Sequence, residues 1–250
     1  QPWVFYLGLE RSGKVVRVGA VTRISDTEYL TAAHVFQEVK LAQDQGAHLL
    51  VRGADAEQWA PKAPNFGDLK VTFAGRQSAD QPSPLDLAVF QLPLSFGAAH
   101  KLRKLPRSRL APIIPEGPIR ITTPTIFGER TTTGTARSST IKGMIEHNAT
   151  SQGGASGGLV MDLRSNVVGV HVGGVDGDTN FAIASSAILA LLRLMQVNSY
   201  FTRAFTPEYK KDDDFNVDTF ELTDEYRQEL YEETHGDTQT ALMQEDDEGS

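Results

Sequence analysis

Three short stretches carry side chains that could act together on a carbonyl group. They are Thr31 to His34 (TAAH), the stretch SPLDLAVFQL with Asp86, and the stretch TSQGGASGGLV with Ser156. A serine hydroxyl is a poor nucleophile near neutral pH and needs an imidazole to take its proton during attack. The imidazole needs a carboxylate on its other nitrogen, which fixes its tautomer and stabilises the imidazolium. The tetrahedral intermediate then needs backbone N–H donors aimed at its oxyanion. Glycines around Ser156 let the chain turn so that the N–H groups of Gly154 and Ser156 supply them. In this reading His34 is the general base, Asp86 orients it, and Ser156 attacks. Asp68 and Asp80 are rival carboxylates, but neither leads directly into an apolar strand.

Holding three such groups in register requires a rigid frame, and residues 1–200 read as a β-rich one. The stretches 15–24, 48–53, 69–75, 86–92, 119–125, 166–173 and 180–184 are rich in β-branched and apolar residues. Gly, Pro, Asp and Asn cluster between them. Short strands at this spacing predict an all-β barrel or sandwich. Ile188, Leu191, Leu192 and Met195 recur at helical spacing, so residues 185–196 read as a helix closing the domain.

Charge divides the chain. Residues 201–250 hold 16 Asp and Glu against 4 Lys and Arg, whereas the body is mildly basic. Two acidic runs flank FELTDEYRQELYEE, so 205–250 reads as a flexible acidic tail with one helix-prone segment. The cluster RKLPRSR (103–109) is local and reads as a solvated loop, so no specific nucleic-acid binding is expected. The six histidines follow no metal-ligand spacing, and neither a metal nor a cofactor is expected. The chain has no cysteine, which removes thiol nucleophiles and leans towards a reducing compartment. The longest apolar run, Ala187 to Met195, is broken by Arg193 and too short to cross a bilayer.

TAAH, then Asp-Leu-Ala, then GxSGG, in the order His, Asp, Ser, resembles the chymotrypsin-like serine proteases. That resemblance covers about residues 1–200. It implies two β-barrels, about 1–100 and 110–184, then the helix 185–196, with the protease domain at 1–204 and the tail at 205–250. The chain departs from trypsin-like zymogens at Ala155, where they carry an aspartate that pairs with a freed N-terminus. Activation by N-terminal insertion is therefore not expected.

The stretch NVVGVHVGGVDGDTNFAIA resembles two subgroups. One is the proteases of plus-strand RNA viruses, of sobemovirus and astrovirus type. The other is the bacterial glutamyl endopeptidases. In both, the matching histidine binds an acidic or amide side chain in the specificity pocket. The resemblance implies that role for His171, with Thr150 or Ser151 and Asn180 as further pocket residues. A histidine N–H, a hydroxyl and an amide are donors a buried glutamate would need. The expectation is a serine endopeptidase cutting after Glu, with Gln second, on a viral polyprotein in the host cytoplasm. The alternatives are a secreted bacterial glutamyl endopeptidase and a catalytically silent protease-like binding module. The tail segment TDEYRQELYEE loosely resembles the Tyr-centred motif of astrovirus and calicivirus genome-linked proteins, which would implicate Tyr226 in nucleotide attachment.

Overall fold

A computed structural model describes residues 1–197 except 55, 57, 62–63, 76–81, 107–108, 110–115, 126–127 and 175–178. Tyr226, the acidic tail and Asp80 lie outside the described residues.

The first half builds a six-stranded sheet. Its strands are β1 (Val4–Arg11), β2 (Lys14–Arg23), β3 (Glu28–Thr31), β4 (His48–Gly53), β5 (Val71–Ala74) and β6 (Ala88–Gln91), in the order β4-β1-β2-β3-β6-β5. Ser12 and Gly13, both at positive φ (52° and 72°), make the tight turn between β1 and β2. Such two-residue turns match the twist of a hairpin. Two helices decorate this half, α1 (Ala33–Asp44) and the short α2 (Leu94–Ala99). The helix α1 follows TAAH directly and buries Val35, Phe36, Val39 and Ala42. Their spacing is that of one helical face. The rings of Phe36, Phe66 and Phe90 pack at tilted angles, their centroids 5.2–5.3 Å apart, and tie α1 to β6.

The second half is a closed barrel. Its strands are β7 (Gly117–Pro124), β8 (Glu129–Ser138), β9 (Met144–His147), β10 (Leu159–Asp162), β11 (Val167–Gly174) and β12 (Asn180–Ala184), in the order β10-β11-β12-β9-β8-β7. Ile119, Ile121, Ile145, Val160, Val168, Val170 and Ile183 are all buried, so the barrel is packed rather than hollow. The helix α3 (Ser185–Val197) follows as expected and packs on β11 and β12. The chymotrypsin-like expectation is thus met by one closed barrel and one six-stranded sheet. Among the described residues the end strands of that sheet, β4 and β5, are not paired with each other.

The halves are clamped by polar groups. Arg52 on β4 is buried, and its guanidinium donates to the carbonyls of Thr125 and Gly128 at 3.0 and 2.6 Å. The same guanidinium lies over the rings of Tyr6 and Trp59 at 5.7 and 4.9 Å. The Tyr6 hydroxyl donates to Glu129 at 2.5 Å. Burial, then the neighbouring Glu129 carboxylate, raises the Tyr6 phenol far above its ordinary value. This clamp fixes the seam in which any site shared by the halves must lie. Among the described residues no helix is long and apolar enough to cross a membrane.

Candidate active site

His34 is the second residue of α1, and Asp86 sits in the turn just before β6. The two meet across 52 positions of sequence. The ring Nδ1 of His34 lies 2.7 Å from Asp86 Oδ2. Asp86 Oδ1 accepts the backbone N–H of His34 at 2.9 Å. One carboxylate therefore grips both the ring and the main chain of the same residue. The Asp86 side chain is only 1% exposed and that of His34 21%, so the carboxylate is shielded and the imidazole reachable. Nδ1–H donating to the carboxylate leaves the Nε2 lone pair free to accept a proton. Asp68 lies on an exposed single turn (Phe66–Asp68), where it accepts from Asn65 at 3.0 Å, and takes no part.

Ser156 comes from the glycine-rich turn entering β10. Its carbonyl accepts the N–H of Ala20 on β2 at 2.8 Å, which staples the turn to the first sheet. Gly157 donates its N–H to the His171 carbonyl at 2.8 Å and sits at φ +80°. A Cβ on Gly157 would lie 2.2 Å from the Ala20 carbonyl oxygen and 2.4 Å from Thr31 Oγ1. A Cβ on Gly19 would strike the Val35 side chain and the Ser156 carbonyl. Glycine at 19 and 157 is thus what lets the serine turn lie against residues 31–35, which carry His34. Gly154 adopts φ +88°, and Ala155 donates to Gln152 across the turn at 3.0 Å. Among the described residues neither the Gly154 N–H nor the Ser156 N–H meets an acceptor. Two donors held by a rigid turn, with no internal acceptor, are what a developing oxyanion requires.

The expected pocket residues separate. Ser151 donates its hydroxyl to Asn180 Oδ1 at 3.0 Å, and Asn180 Nδ2 donates to the Ala149 carbonyl at 3.1 Å. Thr150 is exposed and contributes only its carbonyl, to Thr132. Of the two hydroxyls left open by the sequence, Ser151 is the one beside Asn180. His171 on β11 is 2% exposed.

One group escaped the sequence reading. His147, at the end of β9, is 3% exposed, and its Nε2 lies 3.1 Å from His171 Nδ1. It faces Asn180 across the β9–β12 ladder. Burial pushes His147 down to about 4. Burial, then the His147 and His34 charges, pushes His171 down to about 3. Both rings are therefore neutral near pH 7. His147 Nδ1 is buried without a partner. Its ring lines a cavity of about 240 Å³ with Thr135, Arg137, Glu146, Asn148 and Thr179. In the sequence His147 is one histidine in a polar segment, and only the barrel pairs it with His171. Among the described residues no group of three or more metal-ligating side chains gathers.

Comparison with known proteins fits this geometry. A family described as the trypsin-like peptidase domain matches residues 19–170. Among curated proteins no sequence matches the chain. A serine endoprotease from Yersinia pestis is similar in structure, with a TM-score of 0.53 at 16% identity, covering 79% of this chain. The chain spans 64% of that protein's length. An inactive serine-to-alanine mutant of Rv3671c from Mycobacterium tuberculosis is 18% identical, with a TM-score of 0.49, covering 78% of this chain and 87% of that one.

Proposed function

Given that the chain belongs to the trypsin-like peptidase domain family, we propose that it is a serine endopeptidase acting through His34, Asp86 and Ser156. The observation that carries this is the double grip of Asp86 on the His34 ring and main chain. A carboxylate so placed serves a base that must turn without losing its tautomer. His34 Nε2 takes the Ser156 proton as Oγ attacks the carbonyl carbon. The oxyanion forms against the Gly154 and Ser156 N–H groups. The imidazolium, stabilised by Asp86, then protonates the leaving amine, and water repeats the sequence on the acyl-enzyme.

For substrate choice we propose glutamate before the scissile bond, with glutamine second. Support comes from the Ser151–Asn180 pair and the buried His147–His171 pair. The finer reading is a protease releasing proteins from a viral polyprotein in the host cytoplasm. It rests on the GxSGG and Gly-Val-His-Val-Gly-Gly stretches and on a chain without cysteine. A secreted bacterial glutamyl endopeptidase shares the same stretches. Mapping where the protein cuts its own natural precursor separates the two.

Two experiments test the core reading. A serine-directed phosphonylating reagent should add its mass at Ser156 and abolish activity. A peptide panel varied only before the scissile bond should be cut best at Glu, and a preference for Arg or Phe would overturn the pocket assignment. A silent binding module would neither label nor cut.

A further inference from the structure

Arg17 is a half-buried residue of β2 with no role in the triad or the proposed pocket. The β1–β2 register shifts between Leu7 and Gly8, so Val18 is bulged out and Arg17 pairs with Gly8. Bulges re-aim the side chains beside them. Here the result is a close approach to the serine turn. A Cβ on Gly154 would lie 2.7 Å from Arg17 Cβ and 3.3 Å from the Pro124 ring. Arg17 Nη1 donates to the Pro124 carbonyl at 2.5 Å, which holds the side chain in place. A carbonyl does not neutralise a guanidinium, and Arg17 makes no ion pair among the described residues. Its other donors remain available. Arg17 also lies near enough to Arg52 for mutual repulsion, though Arg52 is the more strongly compensated by Glu129.

The direction of the substrate follows from the triad. In the proposed function the side chain before the scissile bond lies on the second half, beside Ser151, Asn180 and His171. The leaving amine must reach His34, which α1 presents from the first half. The chain beyond the bond therefore runs from the Gly154–Ser156 turn towards the first sheet. Arg17 of that sheet stands against this turn through its Cβ, and its guanidinium is held at Pro124, whose ring also borders Gly154.

We infer that Arg17 makes the enzyme favour an acidic residue at the first or second position after the scissile bond. This rests on the peptidase reading above, and the test distinguishes the two. Paired peptides carry Asn or Asp at each of these positions in turn, behind a fixed Glu. Wild type at low salt should cut the better-placed Asp peptide with kcat/KM about two- to fivefold above its Asn twin, the scale of one partly exposed charge pair. Raising salt to 1 M should shrink that ratio towards one. Arg17→Gln should collapse the ratio, and Arg17→Lys should keep most of it. A purely structural Arg17 would slow both peptides equally and leave the ratio unchanged, which overturns the inference. Equal rates for Asn and Asp peptides in wild type overturn it too, and this result stands even if Arg17→Gln fails to fold. No cleavage of any peptide, with Ser156 unlabelled by the phosphonylating reagent, overturns the peptidase reading itself.

Discussion

The proposed pocket would bind an anion beside two neutral histidines, and this has a measurable consequence. Burial holds His171 down to about 3 and His147 to about 4, so the free pair is uncharged at pH 7. A glutamate entering beside His171 brings a buried charge that needs a counter-charge. The pair can supply it by taking up one proton, shared across the 3.1 Å contact. The cavity reaching His147 offers that proton a route from solvent. A carboxylate about 4 Å from an imidazolium gains about 4 kcal/mol at an effective dielectric of about 20. That gain raises the pair's affinity for a proton by about a thousandfold in the glutamate complex. Between the free and bound values, acidification strengthens glutamate binding and leaves glutamine binding untouched. The Glu/Gln ratio of kcat/KM should therefore rise about tenfold from pH 7 to pH 5. Both substrates are cut by the same triad, so its contribution cancels in the ratio. The assay is a pair of peptides differing only at that residue, cut in half-unit steps from pH 5 to 8. His171→Ala should flatten the curve. A flat or rising ratio with pH in wild type, or an unchanged slope in His171→Ala, refutes the reasoning.

Asp86→Asn should keep the fold and lower kcat by about ten-thousand-fold, since the amide fixes the wrong imidazole tautomer; single-turnover kinetics with circular dichroism separates this from unfolding. Gly157→Ala should lower both melting temperature and activity, because at φ +80° its Cβ would meet the Ala20 carbonyl at 2.2 Å; an unchanged melting temperature contradicts the close packing. The neutral form of His147 is favoured in the folded state, so its contribution to stability is complete above about pH 6.5 and is lost as pH falls towards 4. Across that window wild type should lose about 2–3 kcal/mol more than His147→Gln, read from urea midpoints; parallel pH profiles would show that His147 does not titrate this way. Arg52→Met should destabilise by about 3 kcal/mol, since it leaves the carbonyls of Thr125 and Gly128 without their donor; a chemical-denaturation curve measures it.

The residues proposed for the chemistry were legible before any fold, because each had to be a particular type in a particular local setting. Ser156 needed flexible backbone on both sides, and the glycines at 154 and 157 take up positive φ there. Asp86 announced itself by preceding an apolar strand, as β6 bears out. The strands 48–53 and 180–184 were legible because near-complete burial makes them short apolar runs, and the closing helix because its apolar residues recur at helical spacing. The strand β8, ERTTTGTARS, was not, because its side chains are nearly all exposed or half-exposed and show no such pattern. The helix α1 begins inside TAAH and was masked by the motif itself.

Long-range contact decided the rest. No local signal pairs His147 with His171, selects Ser151 over Thr150 as the partner of Asn180, or sets Arg17 against Gly154. Each depends on strand register and on how the two halves meet, which are properties of the packed barrel and not of any segment within it. Sequence alone thus determined which groups are proposed to do the chemistry, and tertiary structure decided which neighbours tune them.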